Sequence, residues 1–322
     1  MSRKLAPDSP GLLLLLAALV ALGPLSVDMY LPAMPAMTVA LEATVSEMPL
    51  TLSAYLAGFA LFHLVCGPLA DRYGRRPVLL AGTGLFVASC IGCSLSTTVE
   101  ELLGYRFLQG VGACVGPTLA RAVVRDVFGP TRAARALSLI AMMMALAPAV
   151  APTLGGFMLL VLPWPSIFLF LGGYGLLMMW LIATLLAESL PQRQSLHPLA
   201  IARNYGELLT HPVFILVTSA SGLIYAGLMA YLSSSSFIYI SLLGVPVQYF
   251  GLIFLTGVIG YVSGSAISAR LSGRRDSEQV MAYGICLALL AAGSLWLGST
   301  LFPDSVAALA VSYTHLRAHE TT

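Results

Sequence analysis

Long apolar segments separated by short polar loops dominate the sequence. A helix that spans a bilayer core of about 30 Å needs about 20 apolar residues. The pattern predicts nine membrane-spanning helices, near residues 11–33, 50–70, 78–97, 102–124, 136–160, 167–187, 212–236, 248–269 and 280–300. A tenth apolar segment begins after Asp304 and is cut short. The chain is therefore predicted to be an all-α polytopic membrane protein.

Composition agrees with this prediction. Only 9% of the 322 residues are charged and 58% are hydrophobic, whereas soluble domains carry about 25% charged residues. The mean hydropathy is +0.89. So few charges could not cover the surface of a water-soluble fold. No glycine-rich phosphate loop and no basic patch for nucleic acid is present in the sequence, so no nucleic-acid partner is expected.

All five cysteines lie inside apolar runs. Cys90 and Cys93 form a C-x-x-C pattern, which occurs in metal and redox sites. No second pair of ligands lies nearby, so these cysteines are predicted to be small buried residues. His63 and Cys66, one helical turn apart, also lack further ligands. Neither a metal nor an organic cofactor is expected.

Basic residues occur only in alternate loops, which predicts the orientation of the chain. Lys and Arg mark the cytoplasmic side of a membrane protein. The N-terminus is therefore expected in the cytoplasm and the chain in the bacterial inner membrane. Before residue 312, the basic residues in these loops are Arg3, Lys4, Arg72, Arg75, Arg76, Arg125, Arg132, Arg135, Arg193, Arg203, Arg270, Arg274 and Arg275.

A polar segment over residues 188–211 separates the first six predicted spans from the rest. A Gly-Arg-Arg triplet follows both the second span, at Gly74, and the eighth, at Gly273. Repeats of this kind are typical of transporters built from two related halves. We predict an N-terminal six-helix bundle over 1–187, a cytoplasmic linker over 188–211 and a partial C-terminal bundle over 212–311.

The last residues do not fit a spanning helix. From Tyr313 the chain reads YTHLRAHETT, and so many ionisable groups are costly in hydrocarbon. Residues 312–322 are predicted to be a non-native tail on a chain that is truncated at its C-terminus.

The loop after span two carries the strongest motif. Residues 67–76 read GPLADRYGRR. Gly67 would allow close helix approach, Gly74 a turn, and Asp71 a contact with the positive end of a helix dipole. The motif closely resembles the loop signature of the major facilitator superfamily. The resemblance implies a gating loop made of Gly67, Asp71, Arg72, Gly74, Arg75, Arg76 and Asp126, with Asp126 as the ion-pair partner of Arg75.

Span four contains a second motif, RFLQGVGA from Arg106 to Ala113. It resembles the R-x-x-Q-G-x-G-A pattern of the same superfamily. An arginine within the membrane is costly unless it faces a cavity or a partner. Arg106 is therefore predicted to be functional, together with Gln109. The alternative is that Arg106 extends to the outer membrane interface.

Span five contains a proline- and glycine-rich stretch that resembles the antiporter motif of drug exporters. Ala151 stands where the motif has a glycine, so the match is partial. Proline bends a helix and glycine lets another helix pack closely. The resemblance implies a functional bend, and the alternative is a kinked helix without a special role. The residues concerned are Pro148, Pro152, Gly155 and Gly156.

The outer half of span one reads DMYLPAMP from Asp28. It resembles the Bcr/CflA group of drug:proton antiporters. Asp28 is the only acid well inside the predicted spans, and a carboxyl at that depth is a functional candidate. Because low dielectric disfavours its charged form, such a group can exchange a proton near neutral pH. Tyr30 belongs to the same stretch. The alternative is that Asp28 is an acid at the outer interface.

Together the motifs imply a major facilitator fold, with six helices in the N-terminal half and an incomplete C-terminal half. They imply a monomeric transporter, not an enzyme, that exports a drug-like small molecule by alternating access, driven by the proton gradient, with membrane lipid around it. Three alternatives remain: a metabolite importer or facilitator of the same superfamily, an inactive fragment, and an intramembrane hydrolase. The hydrolase would use Ser233–Ser236, and only His63 could serve as its base.

Overall fold

The computed structural model describes residues 4–6, 9–190, 192, 198–272 and 277–301. Regular structure in these ranges is entirely helical. The α-helices are α1 Pro10–Asp28, α2 Met34–Ala40, α3 Met48–Tyr73, α4 Arg75–Leu95, α5 Val99–Ala113, α6 Val115–Met158, α7 Pro165–Leu185, α8 Pro198–Thr210, α9 Pro212–Ser236, α10 Phe250–Ser272 and α11 Ser277–Leu301. Short 3₁₀ turns at Leu31–Ala33 and Val247–Tyr249 and a π-helical segment at Phe237–Leu242 complete the set.

Local sequence explains where several helices begin. Ser9 caps α1 by accepting a hydrogen bond from the backbone N–H of Leu12 at 3.3 Å, and Pro10 opens the helix. Thr98 caps α5 in the same way through the N–H of Glu101, at 3.3 Å. Both arrangements satisfy N–H groups that the first turn of a helix leaves without a partner.

The chain divides into two compact units, Met1–Leu196 and His197–Thr322. This division falls inside the predicted linker at 188–211, and the predicted domain roles stay predictions. The second Gly-Arg-Arg triplet (273–275), Arg193 and the predicted tail (312–322) lie outside the described residues.

The first unit is a bundle in which α3 packs on α5, α1 on α6, and α4 on both α5 and α7. The α3–α5 contact brings the two backbones together at a pair of glycines. A Cβ on Gly58 of α3 would overlap the carbonyl oxygen of Phe107, and a Cβ on Gly110 of α5 would overlap that of Tyr55. Small residues at helix interfaces are a common means of association in membranes.

Helix α6 joins the predicted fourth and fifth spans without a conventional loop. Only Gly129, with φ 65° and ψ 173°, leaves helical backbone angles within α6. The segment between the two spans is itself helical up to this break, which explains why loop-based boundaries do not appear there. The helix continues through Pro148 and Pro152 to Met158, and the functional bend there stays a prediction.

Seven helical segments in the described ranges are long and apolar enough to cross a membrane. The predicted fifth span (136–160) and ninth span (280–300) are not among them, although both are helical. The total of nine spans therefore stays a prediction.

In the second unit, hydroxyls of the serine run bond to their own helix. The Ser233 and Ser235 hydroxyls donate to the carbonyl oxygens of Ala230 and Leu232, at 2.9 and 2.7 Å. Part of the predicted linker is helical and forms α8.

Candidate functional site

Arg106 lies in the interior of the first unit, where its side chain is 0% exposed. Its Nη1 donates to the carbonyl oxygen of Ser26 at 3.1 Å and to Oε1 of Gln109 at 2.6 Å. Ser26 is near the end of α1, and Gln109 is one turn further along α5. The alternative in which Arg106 extends to the membrane interface is therefore wrong for this structure.

Aromatic rings from three parts of the chain surround the guanidinium. Its Cζ lies 4.4 Å from the ring centroid of Tyr30, 4.6 Å from that of Tyr55 and 5.9 Å from that of Phe168. Ring faces attract a cation, and the attraction strengthens when the cation is shielded from water. We call this group the Arg106 cage: Arg106, Ser26, Tyr30, Tyr55, Gln109 and Phe168.

The cage leaves part of the guanidinium without a hydrogen-bond acceptor. Within the described residues, Nε and Nη2 of Arg106 are buried and have no partner. Leaving a charged donor in this state costs free energy. A group that accepts hydrogen bonds or carries negative charge would therefore bind favourably against this side of Arg106.

Side chains on the cage rim are themselves held in place. The Tyr30 hydroxyl contacts the hydroxyl of Thr51 and lies 3.2 Å from Sδ of Met48. The amide of Gln109 donates to Sγ of Cys90, at 3.0 Å. The cage thus connects the end of α1 with α3, α4, α5 and α7.

Asp28, the predicted proton carrier, is the last residue of α1 and is 4% exposed. It lies two residues from Ser26 and two from Tyr30, both members of the cage. The structure thus brings Tyr30, Arg106 and Gln109 into direct contact and places Asp28 on the same chain turn. The depth of Asp28 in the membrane, whether at the outer interface or further inside, stays a prediction.

The antiporter-like stretch of α6 packs against the same end of α1. A Cβ on Gly155 would overlap the carbonyl oxygen of Met29, the residue after Asp28. The close approach predicted for Gly155 is therefore confirmed. Pro148, Pro152 and Gly156 are buried as well.

A second polar cluster lies at the turn between α3 and α4. Arg75 forms ion pairs with Oδ1 of Asp71 at 2.8 Å and with Oδ2 of Asp126 at 3.2 Å. The predicted pair of Arg75 and Asp126 is confirmed. Asp71 binds Arg75 one turn along the chain, and among the described residues it accepts no hydrogen bond from a helix N-terminus.

Glu188, rather than Asp71, places its carboxylate at a helix N-terminus, that of α4. It accepts hydrogen bonds from the backbone N–H groups of Arg75, at 2.9 Å, and Arg76, at 3.2 Å. Gly74 precedes them with φ 106°, a value that favours glycine. A negative charge at this end of α4 is stabilised by the helix dipole.

Arg76 holds the opposite end of another helix. It donates to the carbonyl oxygens of Ile182 at 3.4 Å and Ala183 at 2.5 Å, in the last turn of α7. A cation at a helix C-terminus is favourable. We call Asp71, Arg75, Arg76, Asp126 and Glu188 the Arg75 network. Arg72 is not part of it, since its guanidinium lies over the ring of Tyr73 at 5.4 Å.

One predicted role in this loop is wrong. Gly67 was expected to permit close helix approach, yet a Cβ built there would meet no atom within 4 Å among the described residues. Sequence spacing identifies a small residue but not the face on which it lies.

Sequence reasoning did not identify Ser26, Tyr55, Cys90, Phe168 or Glu188. Ser26 acts through its backbone carbonyl, so its side chain carries no signal. Tyr55 and Phe168 resemble ordinary apolar residues of a spanning helix. Glu188 carried a usable signal, because it is an acid immediately after a predicted span. In the described residues, no group of three or more His, Cys, Asp or Glu side chains could hold a metal ion.

Comparison with known proteins identifies the family. The family described as Major Facilitator Superfamily matches residues 16–314. A Bacillus subtilis (strain 168) protein described as the uncharacterized MFS-type transporter YdgK is 36% identical over 303 residues, which cover 92% of this chain and 75% of the relative.

Two further relatives have names that state a function. The bicyclomycin resistance protein homolog of Haemophilus influenzae (strain ATCC 51907 / DSM 11121 / KW20 / Rd) is 28% identical, with 91% of this chain and 73% of the relative covered. The multidrug transporter MdfA of Yersinia pestis bv. Antiqua (strain Angola) is 30% identical over 279 residues, which cover 83% of this chain and 66% of the relative.

Solved structures share the fold at low sequence identity. A bacterial homolog of the human lysosomal transporter Spinster, in an inward-facing and unoccupied conformation, superposes with a TM-score of 0.76 at 16% identity, over 97% of this chain and 72% of the other. A D-xylose-proton symporter superposes with a TM-score of 0.67 at 15% identity, over 97% of this chain and 80% of the symporter.

Proposed function

The chain belongs to the Major Facilitator Superfamily, and we propose that it exports drug-like small molecules across the bacterial inner membrane in exchange for protons. It is a multi-pass membrane transporter with the major facilitator fold. Relatives named as a multidrug transporter and as a bicyclomycin resistance protein homolog support drug export as its activity.

The observation that carries the proposal is the burial of Asp28 beside the Arg106 cage. Burial disfavours a charged carboxylate, so release of its proton needs compensation nearby. The fixed positive charge of Arg106, on a neighbouring element, lowers the cost of a negative charge in this region. Asp28 would hold a proton in one stage of transport and release it in another.

Tyr30 and Gln109 have a positioning role in this scheme. Tyr30 is fixed through Thr51 and Met48 and presents its ring to Arg106. Gln109 accepts from Arg106 and donates to Cys90. Both hold the guanidinium in one orientation, so that its Nε and Nη2 remain available to an acceptor on the substrate or on a transported group.

Two other features would supply the movement. The packing of Gly155 on Met29 couples α6 to the end of α1 that carries Asp28. The Arg75 network ties the ends of α3, α4 and α7 together through contacts that can break and re-form. We propose that these elements act as gates when bundles 1–187 and 212–311 alternate around a central path, joined by the linker 188–211, with the N-terminus in the cytoplasm.

The substitution Asp28→Asn tests the proton role. It keeps the size of the side chain and removes its titration. In everted vesicles from cells expressing the gene, drug addition should cause proton movement with the unsubstituted protein and none with Asp28→Asn. Glu100→Gln is the matched control, because Glu100 is an exposed acid on the first turn of α5.

Both alternative outcomes are informative. If Asp28→Asn retains drug-driven proton movement, Asp28 is not the carrier. If the unsubstituted protein takes up a metabolite with no proton movement, it is an importer or facilitator and the export proposal fails.

A further inference from the structure

A groove of about 400 Å³ opens between α3 and α4 of the first unit. Its walls are almost entirely apolar and include Phe62, Leu69 and Tyr73 of α3 and Val78, Ala81 and Leu85 of α4. The two helices meet at Gly74, but α3 packs mainly on α5, and α4 packs on α7 and α5. The groove lies in neither the Arg106 cage nor the Arg75 network, and its volume falls in the range of ligand clefts, roughly 300–1,000 Å³.

A cation lies next to this groove. The ring of Tyr73 lines it, and the guanidinium of Arg72 lies 5.4 Å from the centroid of that ring. Arg72 and Tyr73 are both exposed and end α3. Tyrosine at the end of a spanning helix is typical of the membrane–water interface. The apolar groove therefore extends from interfacial depth toward the bilayer interior.

Arg72 differs from the two other arginines of the turn. Arg75 binds two carboxylates, and Arg76 binds the carbonyl oxygens that end α7. Within the described residues, no carboxylate lies within ion-pair distance of Arg72. A guanidinium at the membrane surface attracts an anion, and phosphate matches its planar donor geometry well.

We propose that this groove binds one anionic phospholipid of the surrounding bilayer, with an acyl chain between α3 and α4 and the headgroup phosphate on Arg72. A soluble anion would leave the apolar groove unused, and a lipid without net charge would gain less from Arg72. Basic sites between spanning helices are a known means of holding anionic headgroups.

Native mass spectrometry of the purified chain tests the proposal. The protein is released from micelles that contain equal amounts of phosphatidylglycerol and phosphatidylcholine. The unsubstituted chain should retain phosphatidylglycerol in preference. Arg72→Gln should lower retention of phosphatidylglycerol about fivefold, as expected for one basic residue near a membrane surface, and leave phosphatidylcholine unchanged. Ala81→Trp, which fills the groove, should reduce retention of both lipids.

Arg203→Gln is the matched control. It removes the same charge from an exposed site where the guanidinium forms a surface pair with Glu207, and it should behave like the unsubstituted chain. Ala81 is exposed, so both groove variants should elute as the unsubstituted protein does in size-exclusion chromatography. Wild-type retention of phosphatidylglycerol in both Arg72→Gln and Ala81→Trp would overturn the proposal. Displacement of the lipid by glycerol phosphate as effectively as by phosphatidylglycerol would also overturn it, because that molecule has no acyl chain.

Discussion

The Arg106 cage and the Arg75 network are two ways of holding an arginine in the same bundle. Arg75 is near the end of the spanning helices and is paired with two carboxylates. Arg106 is fully buried and is held by ring faces, a carbonyl oxygen and an amide oxygen. The network pairs Arg75 with carboxylates of its own. The cage leaves two donors of Arg106 without an acceptor in the described residues.

This difference suggests a division of labour. A network in which the arginine is paired with carboxylates stabilises one arrangement of helix ends. A buried cation with spare donors is sensitive to any negative charge that enters or leaves its surroundings. On this account the cage carries the coupling chemistry and the network sets which conformation is populated.

The largest effect should follow from replacing the cage cation. Arg106→Met removes the charge but keeps an apolar side chain of similar length. Drug export should fall by about a hundredfold, which corresponds to about 3 kcal/mol. Thermal stability should stay the same or rise, because replacing a buried charge by an apolar group is often neutral or stabilising.

Export and the unfolding temperature in detergent are measured on the same preparation. Normal drug export by the Arg106→Met variant would contradict the proposed role of the cage in transport coupling. Loss of both folding and export would mean that Arg106 is mainly structural.

A helix-packing change should damage the cage indirectly. Gly110→Ala places a Cβ against the carbonyl oxygen of Tyr55, so it should move Tyr55 away from Arg106. We expect a stability loss of about 1–3 kcal/mol, as is usual for overpacking. Gly104→Ala on the same helix meets nothing within 4 Å and should be neutral or slightly stabilising because alanine favours helix. Thermal unfolding measures the stability of both variants. Equal unfolding temperatures for Gly110→Ala and Gly104→Ala would contradict the observed α3–α5 contact.

A smaller effect is expected in the network. Glu188→Ala removes the acceptor for two N–H groups at the start of α4, and losses of this kind cost about 0.5–2 kcal/mol. Glu207→Ala is the control, because it removes an exposed carboxylate that accepts from the side chain of Arg203. A decrease in unfolding temperature for Glu188→Ala alone is the expected result, and similar values for the two variants would argue against the cap.

The smallest effect should come from the ion pair of Arg75 and Asp126. A double-mutant cycle with Arg75→Gln and Asp126→Asn should give a coupling of about 0.2–1 kcal/mol, since the pair is only partly buried. The coupling should fall as salt is added. A coupling free energy that is large and independent of salt would contradict this prediction and show that the pair is shielded from solvent as Arg106 is.

The two clusters also differ in how far the sequence predicted them. The pair of Arg75 and Asp126 and the turn at Gly74 follow from local motifs in which each charge or glycine has one evident use. The rings around Arg106 come from distant parts of the chain, and an aromatic residue in an apolar helix does not reveal its neighbours. The role of Gly67 was wrong for a related reason, because spacing alone does not identify the face a glycine presents.

Span prediction shows the same limit. Hydropathy identified the apolar segments of α1, α3, α4 and α7 well. It treated the segment around residues 125–135 as a loop because of its arginines, whereas the structure continues α6 through it with a break only at Gly129. Charge marks where a helix leaves the membrane but does not end the helix.

The most direct test of the account is whether drug binding releases a proton from Asp28. The purified protein in unbuffered detergent solution is mixed with ethidium, a lipophilic cation, or with chloramphenicol, which is neutral, and a pH-indicator dye records the proton. We expect one of these compounds to release protons from the unsubstituted protein and from Glu100→Gln but not from Asp28→Asn. Equal proton release from Asp28→Asn would contradict the central claim that this buried carboxyl couples proton exchange to transport.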